Sequence, residues 1–169
     1  MTDLAIRPAL EADVPGICEI YNYFIRETTI TFDLEEVSLE NRLKWVRQFG
    51  ATGRHRLFVA EAQSQVAGFA YSSQYRAKAG YDTTIETTIY TRPGLERRGG
   101  GRALYGALFD ALAGEDVHRA IAVITEPNAA SDGLHGSFGF IKIGVLSDVG
   151  YKFGRFHSTG YWEKMMAPE

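Results

Sequence analysis

Residues Thr83 to Leu112 read TTIETTIYTRPGLERRGGGRALYGALFDAL, and the fold turns on this stretch. Thr83 to Thr91 is dense in β-branched residues and reads as a strand, with Ile85, Thr87 and Ile89 on one face and Glu86, Thr88 and Tyr90 on the other. A basic, glycine-dense turn follows from Arg92 to Arg102. Ala103, Leu104, Ala107, Leu108, Ala111 and Leu112 then recur at helical spacing, and Gly114 ends the run. A strand running through glycines into a helix aims several backbone N–H groups at one point, with the positive end of the helix dipole behind them. That arrangement is a phosphate cradle. Glycine permits close backbone approach and positive φ, and Arg97, Arg98 and Arg102 can add charge-assisted bonds to phosphate oxygens. The turn lacks the Lys and Ser/Thr of a nucleotide P-loop and the spaced glycines of a dinucleotide fold, so the expected ligand is a phosphate-bearing cofactor other than ATP or NAD. The plainer alternative is a surface turn with scattered arginines.

Outward from this segment, Leu4 to Ala9 reads as a short edge strand. From Asp13 the positions Val14, Ile17, Cys18, Tyr21, Phe24 and Ile25 form the stripe of an amphipathic helix. Thr28 to Thr31 breaks that helix, and Ser38 caps a second one whose buried stripe is read as Leu39, Leu43 and Val46. Arg56 to Ala62 and Val66 to Tyr75 form a hairpin around Gln63, Ser64 and Gln65. His118 to Thr125 is an apolar strand, Ser131 to Phe138 a short helix with Gly139 at its C-terminal cap, and Phe140 to Leu146 and Tyr151 to Met165 are two closing strands. With no linker or repeat, residues 1–169 read as one α/β domain with a mixed sheet.

Composition bounds the function. The chain has 169 residues, 45% hydrophobic and 23% charged, the balance of a globular protein. A chain of this size buries roughly 70% of its unfolded surface and needs no disulfide or metal staple. Cys18 is the only cysteine and no Cys/His group has zinc spacing, so neither a disulfide scaffold nor a metal site is expected and the cytoplasm is the expected location. Met1 to Asp13 has no sustained apolar run, and no stretch approaches the ~18 apolar residues of a membrane helix. A net charge of −3 argues against a general nucleic-acid binder.

Strand Thr84 to Thr91 followed by Glu96, Arg97, Arg98, Gly99, Gly100 and Gly101 resembles the acetyl-CoA signature of GNAT-type N-acetyltransferases, where a Gln or Arg begins a six-residue pyrophosphate loop; Glu96 departs from that pattern. Glu126, Pro127, Asn128, Ser131, Leu134, His135, Gly139 and Phe140 are similar to the family's cofactor-side strand and helix. More narrowly, Ile85 to Tyr90 and the tail Gly150, Tyr151, Lys152, His157, Gly160 and Trp162 resemble the phosphinothricin and methionine sulfoximine or sulfone acetyltransferases. The resemblance implies a mixed, mostly antiparallel sheet flanked by helices, opening in a V between Thr83–Thr91 and His118–Thr125. Acetyl-CoA would be held there by Ile89, Thr91, Arg97, Arg98, Gly99, Gly100, Gly101, Arg102 and Asn128. It further implies direct transfer of acetyl from acetyl-CoA to the α-amino group of a small amino-acid-like substrate, and a homodimer as a candidate assembly. A peptide or protein N-terminal acetyltransferase and a non-catalytic acyl-CoA sensor are the alternatives, the sensor resting on Glu96.

Acetyl transfer to an amine needs an uncharged nucleophile, a stabilised oxyanion and a leaving thiolate. Glu86 either faces a polar cleft or is buried at considerable cost; the resemblance makes it the general base, and a carboxylate paired with an arginine is the alternative. The resemblance puts His135 where a residue protonating the CoA sulfur is found, against a helix-surface histidine that only bonds cofactor or water. Asn128 either bonds the pantetheine arm or caps the next helix. Arg76 and Lys78, flanked by Tyr75 and Tyr81, suit a carboxylate, or are a solvated loop. Thr31 and Phe32 resemble the family's substrate lid, although Phe32 suits a core equally. Lys152 and His157 are candidates for the same cleft or a dimer seam. Cys18 lies in an apolar stripe with no base nearby, which disfavours an acetyl-cysteine intermediate.

Overall fold

β4 (Thr84–Thr91) is the central strand of a seven-stranded sheet ordered β1-β2-β3-β4-β5-β7-β6. The structure is a computed structural model and describes residues 4–93, 95 and 99–166. Its elements in chain order are β1 (Leu4–Pro8), α1 (Val14–Glu27), α2 (Leu39–Val46), β2 (Leu57–Ala62), β3 (Gln65–Gln74), β4, α3 (Gly100–Leu112), β5 (Arg119–Thr125), α4 (Ala129–Ser137), β6 (Ile141–Lys152) and β7 (Arg155–Met165). The mixed α/β architecture is as expected. Every pairing is antiparallel except β4 with β5, which are parallel.

That parallel ladder is short, and the site depends on its shortness. Thr84, Ile85 and Glu86 pair with Arg119, Ala120 and Ile121, and the ladder stops there. Thr87–Thr91 and Ala122–Thr125 run on unpaired with each other, each held only by its outer neighbour, β3 or β7. The V expected between these strands is present, with Glu86 on the last rung.

The alternation of β4 assigns its two faces to two cores. Ile85, with Leu104, Tyr105 and Leu108 of α3 and Ala120 and Ala122 of β5, fills one core. Tyr90, with Ile17, Ile20, Val59 and Phe69, fills the other beneath α1 and α2. Full burial of each such side chain stabilises by about 1.5–3 kcal/mol, so a slip of one residue in β4 would exchange both sets and is strongly excluded.

Two expectations need correction. Leu39 is 57% exposed, and its place in the buried stripe of α2 belongs to Arg42, whose guanidinium carbon sits 4.3 Å from the ring centre of Tyr21 and 4.6 Å from that of Trp45. Stacking on two rings lets a cation occupy an apolar face. Tyr151 and Lys152 belong to β6 and not to the last strand. Phe153 and Gly154 both have positive φ, 51° and 75°, and make the tight hairpin turn there.

Candidate active site

The opening of the V holds two cavities that share a wall. The smaller, about 210 Å³, is bounded by Thr31, Phe32, Tyr71, Glu86, Thr88 and His135. The larger, about 630 Å³, is bounded by Tyr23, Thr91, Gly99, Gly101, Arg102 and Leu134. Ile30, Ile89, Tyr90, Asn128 and Ser131 line both, so a group held in one can reach a group held in the other.

Glu86 reaches the small cavity because its neighbours on β4, Ile85 and Thr87, point into the α3 core. Its carboxyl is half-buried, and burial alone pushes its pKa above the ordinary carboxylate value. No cation offsets that shift among the described residues, so the arginine-paired alternative finds no partner there. Across the β3–β4 ladder Glu86 faces Ser73, and Tyr71 faces Thr88. The Tyr71 hydroxyl is pushed up by burial first and by the Glu86 charge in addition.

Thr31 and Phe32 roof the small cavity, and three tethers hold them. Thr125 Oγ1 donates to Thr29 O at 2.6 Å, Lys152 Nζ donates to Thr31 O at 2.8 Å, and Thr31 Oγ1 lies 3.1 Å from Tyr21 Oη. Phe32 rests on Gly150 of β6, where a Cβ would overlap its ring. Lys152 and His157, both buried, brace this roof from behind and do not line the cavity; His157 Nε2 lies 3.0 Å from Lys152 O.

The large cavity abuts the N-terminus of α3. Gly99 is its N-cap with φ of 72°, a left-handed conformation that glycine adopts freely. The N–H of Gly100 bonds Leu95 O and that of Ala103 bonds Gly99 O. The N–H groups of Gly101 and Arg102 lie in the first turn, where a helix offers no internal acceptor. A Cβ on Gly101 would stand 3.8–4.0 Å from Leu134, Ile89 and Thr91, inside the cavity. The cradle therefore fits an anionic chain laid against bare backbone. Arg102 lies on its rim with its guanidinium carbon 5.6 Å from the Phe138 ring centre. Glu96, Arg97 and Arg98 lie outside the described residues.

On the far wall, Asn128 Oδ1 accepts from the N–H of Ser131 at 3.1 Å, capping α4, while its amide group still borders both cavities. His135 is 3% exposed, so the helix-surface alternative does not hold. Its Nδ1 lies 2.8 Å from the carbonyl of Ser131, an oxygen that can only accept, and therefore carries the ring proton. Nε2 is then the bare nitrogen and accepts from Tyr105 Oη at 3.0 Å. Burial pushes the His135 pKa down, so the ring is neutral, with no proton on Nε2 to give to a thiolate. That geometry turns both ring nitrogens of His135 towards protein partners, Ser131 and Tyr105.

Arg76 and Lys78 are also displaced from expectation. β3 ends at Gln74, the loop turns outward, and the Arg76 guanidinium carbon lies 4.9 and 5.4 Å from the ring centres of Tyr75 and Tyr81. Both cations are exposed and neither lines either of the two cavities. Cys18 is buried, donates to Val37 O at 3.1 Å, and has its thiol pKa pushed up by burial, which leaves it inert. No cluster of three or more His, Cys, Asp or Glu side chains able to hold a metal occurs among the described residues, nor is any helix there long and apolar enough to cross a membrane.

The model of the acetyltransferase (GNAT) domain matches residues 6–159. The chain belongs to the GNAT acetyltransferase family. This acetyltransferase is 46% identical over 164 residues to a phosphinothricin N-acetyltransferase of Streptomyces coelicolor, covering 96% of each chain. It is 34% identical to an L-methionine sulfoximine/L-methionine sulfone acetyltransferase of Pseudomonas paraeruginosa, covering 97% of this chain and 95% of that one. A Salmonella typhimurium acetyltransferase solved with its cofactor acetyl-CoA superposes with a TM-score of 0.93 at 31% identity, over 99% of this chain and 96% of that one.

Several residues of the acetyltransferase site escaped the sequence reading. Tyr71 and Tyr105 carried no assignment, because their hydroxyl partners come from other elements, β4 and α4. Ser131 stood in the motif without a role, although its spacing of four from His135 puts the two on one helix face and was legible.

Proposed function

We propose that this enzyme transfers the acetyl group of acetyl-CoA directly to the α-amino group of a small amino-acid-like acceptor of the phosphinothricin or methionine sulfoximine and sulfone class. One observation carries the reading: an acceptor-sized cavity holding a half-buried carboxylate, with no cation paired to it among the described residues, shares a wall with a larger cavity that ends on bare helix N–H groups. The large cavity takes the pantetheine arm, with Ile89 and Thr91 along β4 and Asn128 opposite. Gly99, Gly100 and Gly101 with Arg102, and Arg97 and Arg98 from the same turn, take the pyrophosphate. Acetyl-CoA supplies the activated acyl group, and the protein supplies placement and a base.

The ammonium form of the acceptor must lose a proton before it attacks. Glu86, its pKa raised towards the working range, takes that proton directly or through one water. Transfer is direct because the one cysteine, Cys18, is buried and unreactive. A volume of about 210 Å³ suits an amino acid better than a peptide. Arg76 and Lys78 begin two residues beyond Gln74 and add long-range attraction for an acidic acceptor, which high salt would screen. A lone unpaired cysteine fits the reducing cytosol.

A homodimer is proposed on edge strand β6. Ile141, Ile143, Val145, Val149, Tyr151 and Phe156 on this hairpin are 49–63% exposed. At roughly 150–250 Å² for a large side chain, such a set approaches the ~800 Å² per partner of a standard interface. A long apolar edge left bare is an aggregation hazard, and an edge strand facing its own copy across a two-fold axis is self-complementary.

The deciding assay follows CoA-thiol release from acetyl-CoA against amino acids, their sulfone, sulfoximine and phosphinate analogues, and short peptides. Turnover with the analogues is expected. Turnover with peptides alone would favour an N-terminal acetyltransferase, and turnover with none a sensor.

A further inference from the structure

The reacting atoms must meet at the wall the two cavities share. Of the five residues that line both, Ile30 and Ile89 carry no polar side chain, Asn128 caps α4 with its oxygen and offers its amide N–H groups to the pantetheine arm, and the Tyr90 hydroxyl is paired with Thr31. Ser131 is the remaining hydroxyl, and the network behind it sets its direction. His135 Nδ1–H is shared between Ser131 O at 2.8 Å and Ser131 Oγ at 3.2 Å. A hydroxyl oxygen that accepts there keeps its own hydrogen for another partner, and no second protein partner of Ser131 Oγ occurs among the described residues. Tyr105 fixes the arrangement. Its hydroxyl lies 2.7 Å from Thr87 Oγ1 and 3.0 Å from His135 Nε2, the nitrogen left bare once Nδ1 donates to the Ser131 carbonyl, and so it donates there.

We infer that Ser131 is a catalytic residue whose hydroxyl donates a hydrogen bond to the departing CoA sulfur, with His135 and Tyr105 as the positioning residues that aim it. The inference rests on the acetyl-transfer reading above. Glu86 first passes the ammonium's proton on to solvent; as the neutral amine then attacks, the N–C bond forms, the carbonyl π pair moves to oxygen, and the re-ionised Glu86 takes the nitrogen's second proton. When the carbonyl re-forms, the C–S bond breaks and its electron pair stays on sulfur. Ser131 stabilises that thiolate without giving up its proton, and solvent, which also relieves Glu86, protonates the sulfur afterwards. His135 thus contributes without acting as an acid, as its neutral, doubly engaged ring requires.

The test uses the folded enzyme with CoA alone and then with acetyl donors. Thiolate ultraviolet absorbance of bound CoA, titrated with pH, reads the hydrogen bond without any acceptor. Ser131→Ala is expected to raise the bound thiol's pKa by about one unit, a tenfold loss of thiolate at a given pH. Tyr105→Phe is expected to move it the same way by less, and Ser131→Thr to restore it. In turnover, Ser131→Ala should lower kcat roughly 10–100-fold with acetyl-CoA, with CoA affinity by calorimetry unchanged. The deficit should shrink with the selenoester analogue, whose leaving group needs less help. An unshifted thiol titration, or equal losses with the two donors, overturns the assignment. Absence of turnover by the wild type with every acceptor would instead refute the acetyl-transfer reading and leave the thiol titration to decide on Ser131.

Discussion

The ring of Phe32 occupies the space above Gly150 in which a side chain at that position would begin. The roof of the acceptor cavity is therefore seated on a strand more than a hundred residues away, in a notch only glycine leaves open. Gly150→Ala is expected to push Phe32 off its seat and raise the KM for the acceptor by about tenfold, the ~1.4 kcal/mol of a lost apolar contact. Affinity for acetyl-CoA should not change. An acceptor KM within twofold of wild type would separate the roof from acceptor binding.

Neighbouring glycines at the cradle should fail differently. Gly101→Val sends its methyls into the large cavity, where the nearest atoms to a Cβ are at ordinary contact distance, so the protein should fold and bind acetyl-CoA about 10–100-fold more weakly. A Cβ on Gly100 would overlap Leu95, so Gly100→Val should lower the Tm first. Calorimetric titration and thermal melts on the two variants separate binding from folding.

Two titratable groups of the site, Glu86 and His135, predict opposite pH trends in stability. Burial raises the Glu86 carboxyl in the folded state, so the folded protein binds the extra proton and stability falls as pH rises through that raised value. Glu86→Gln removes this cost and should raise the Tm at pH 7–8, at about 2–4 °C per kcal/mol for a chain of this size. The gain should vanish below the unfolded value, about pH 4.3. Burial lowers the His135 pKa, so its contribution is present above about pH 6.5 and is lost as pH falls through the depressed folded value. A melt series of wild type against His135→Gln should show the steeper acid loss in wild type.

How far the sequence reached follows from which forces it displays. β4, the glycine turn and α3 were legible because alternation, positive-φ glycine and helical spacing are local, and Glu86 could be singled out as the carboxylate on an otherwise aliphatic and hydroxyl strand. Arg42 was missed because periodicity counts a cation as polar, whereas its flat guanidinium stacks on Tyr21 and Trp45 as a ring would. The start of the last strand was misplaced because Phe153 adopts positive φ without being glycine. Tyr105 and His135 are thirty residues apart, and only the packing of α3 against α4 turns a core tyrosine into the partner of a histidine ring nitrogen. Arg76 and Lys78 matched a carboxylate site by composition, but the outward turn after Gln74 gave Arg76 two rings to stack on.

The proposed edge interface is open to a single substitution. Val145→Asp puts a charge in the middle of β6 without touching either cavity. Light scattering should give wild type twice the 18.8 kDa chain mass and the variant the chain mass itself. Equal masses for the two proteins would remove β6 as the interface.

The central claim is that Glu86 takes the proton of the acceptor amine, and the pH dependence of kcat in Glu86→Gln tests it most directly. Glutamine keeps the size and loses the basicity, so acetyl-CoA affinity should be unchanged while kcat at pH 7 falls roughly 10²–10⁴-fold, the scale of general base catalysis. The deficit should narrow as pH rises and the free amine becomes abundant. A Glu86→Gln enzyme with near-normal kcat at pH 7, or a deficit that stays constant with pH, would contradict the account and make Glu86 a structural carboxylate.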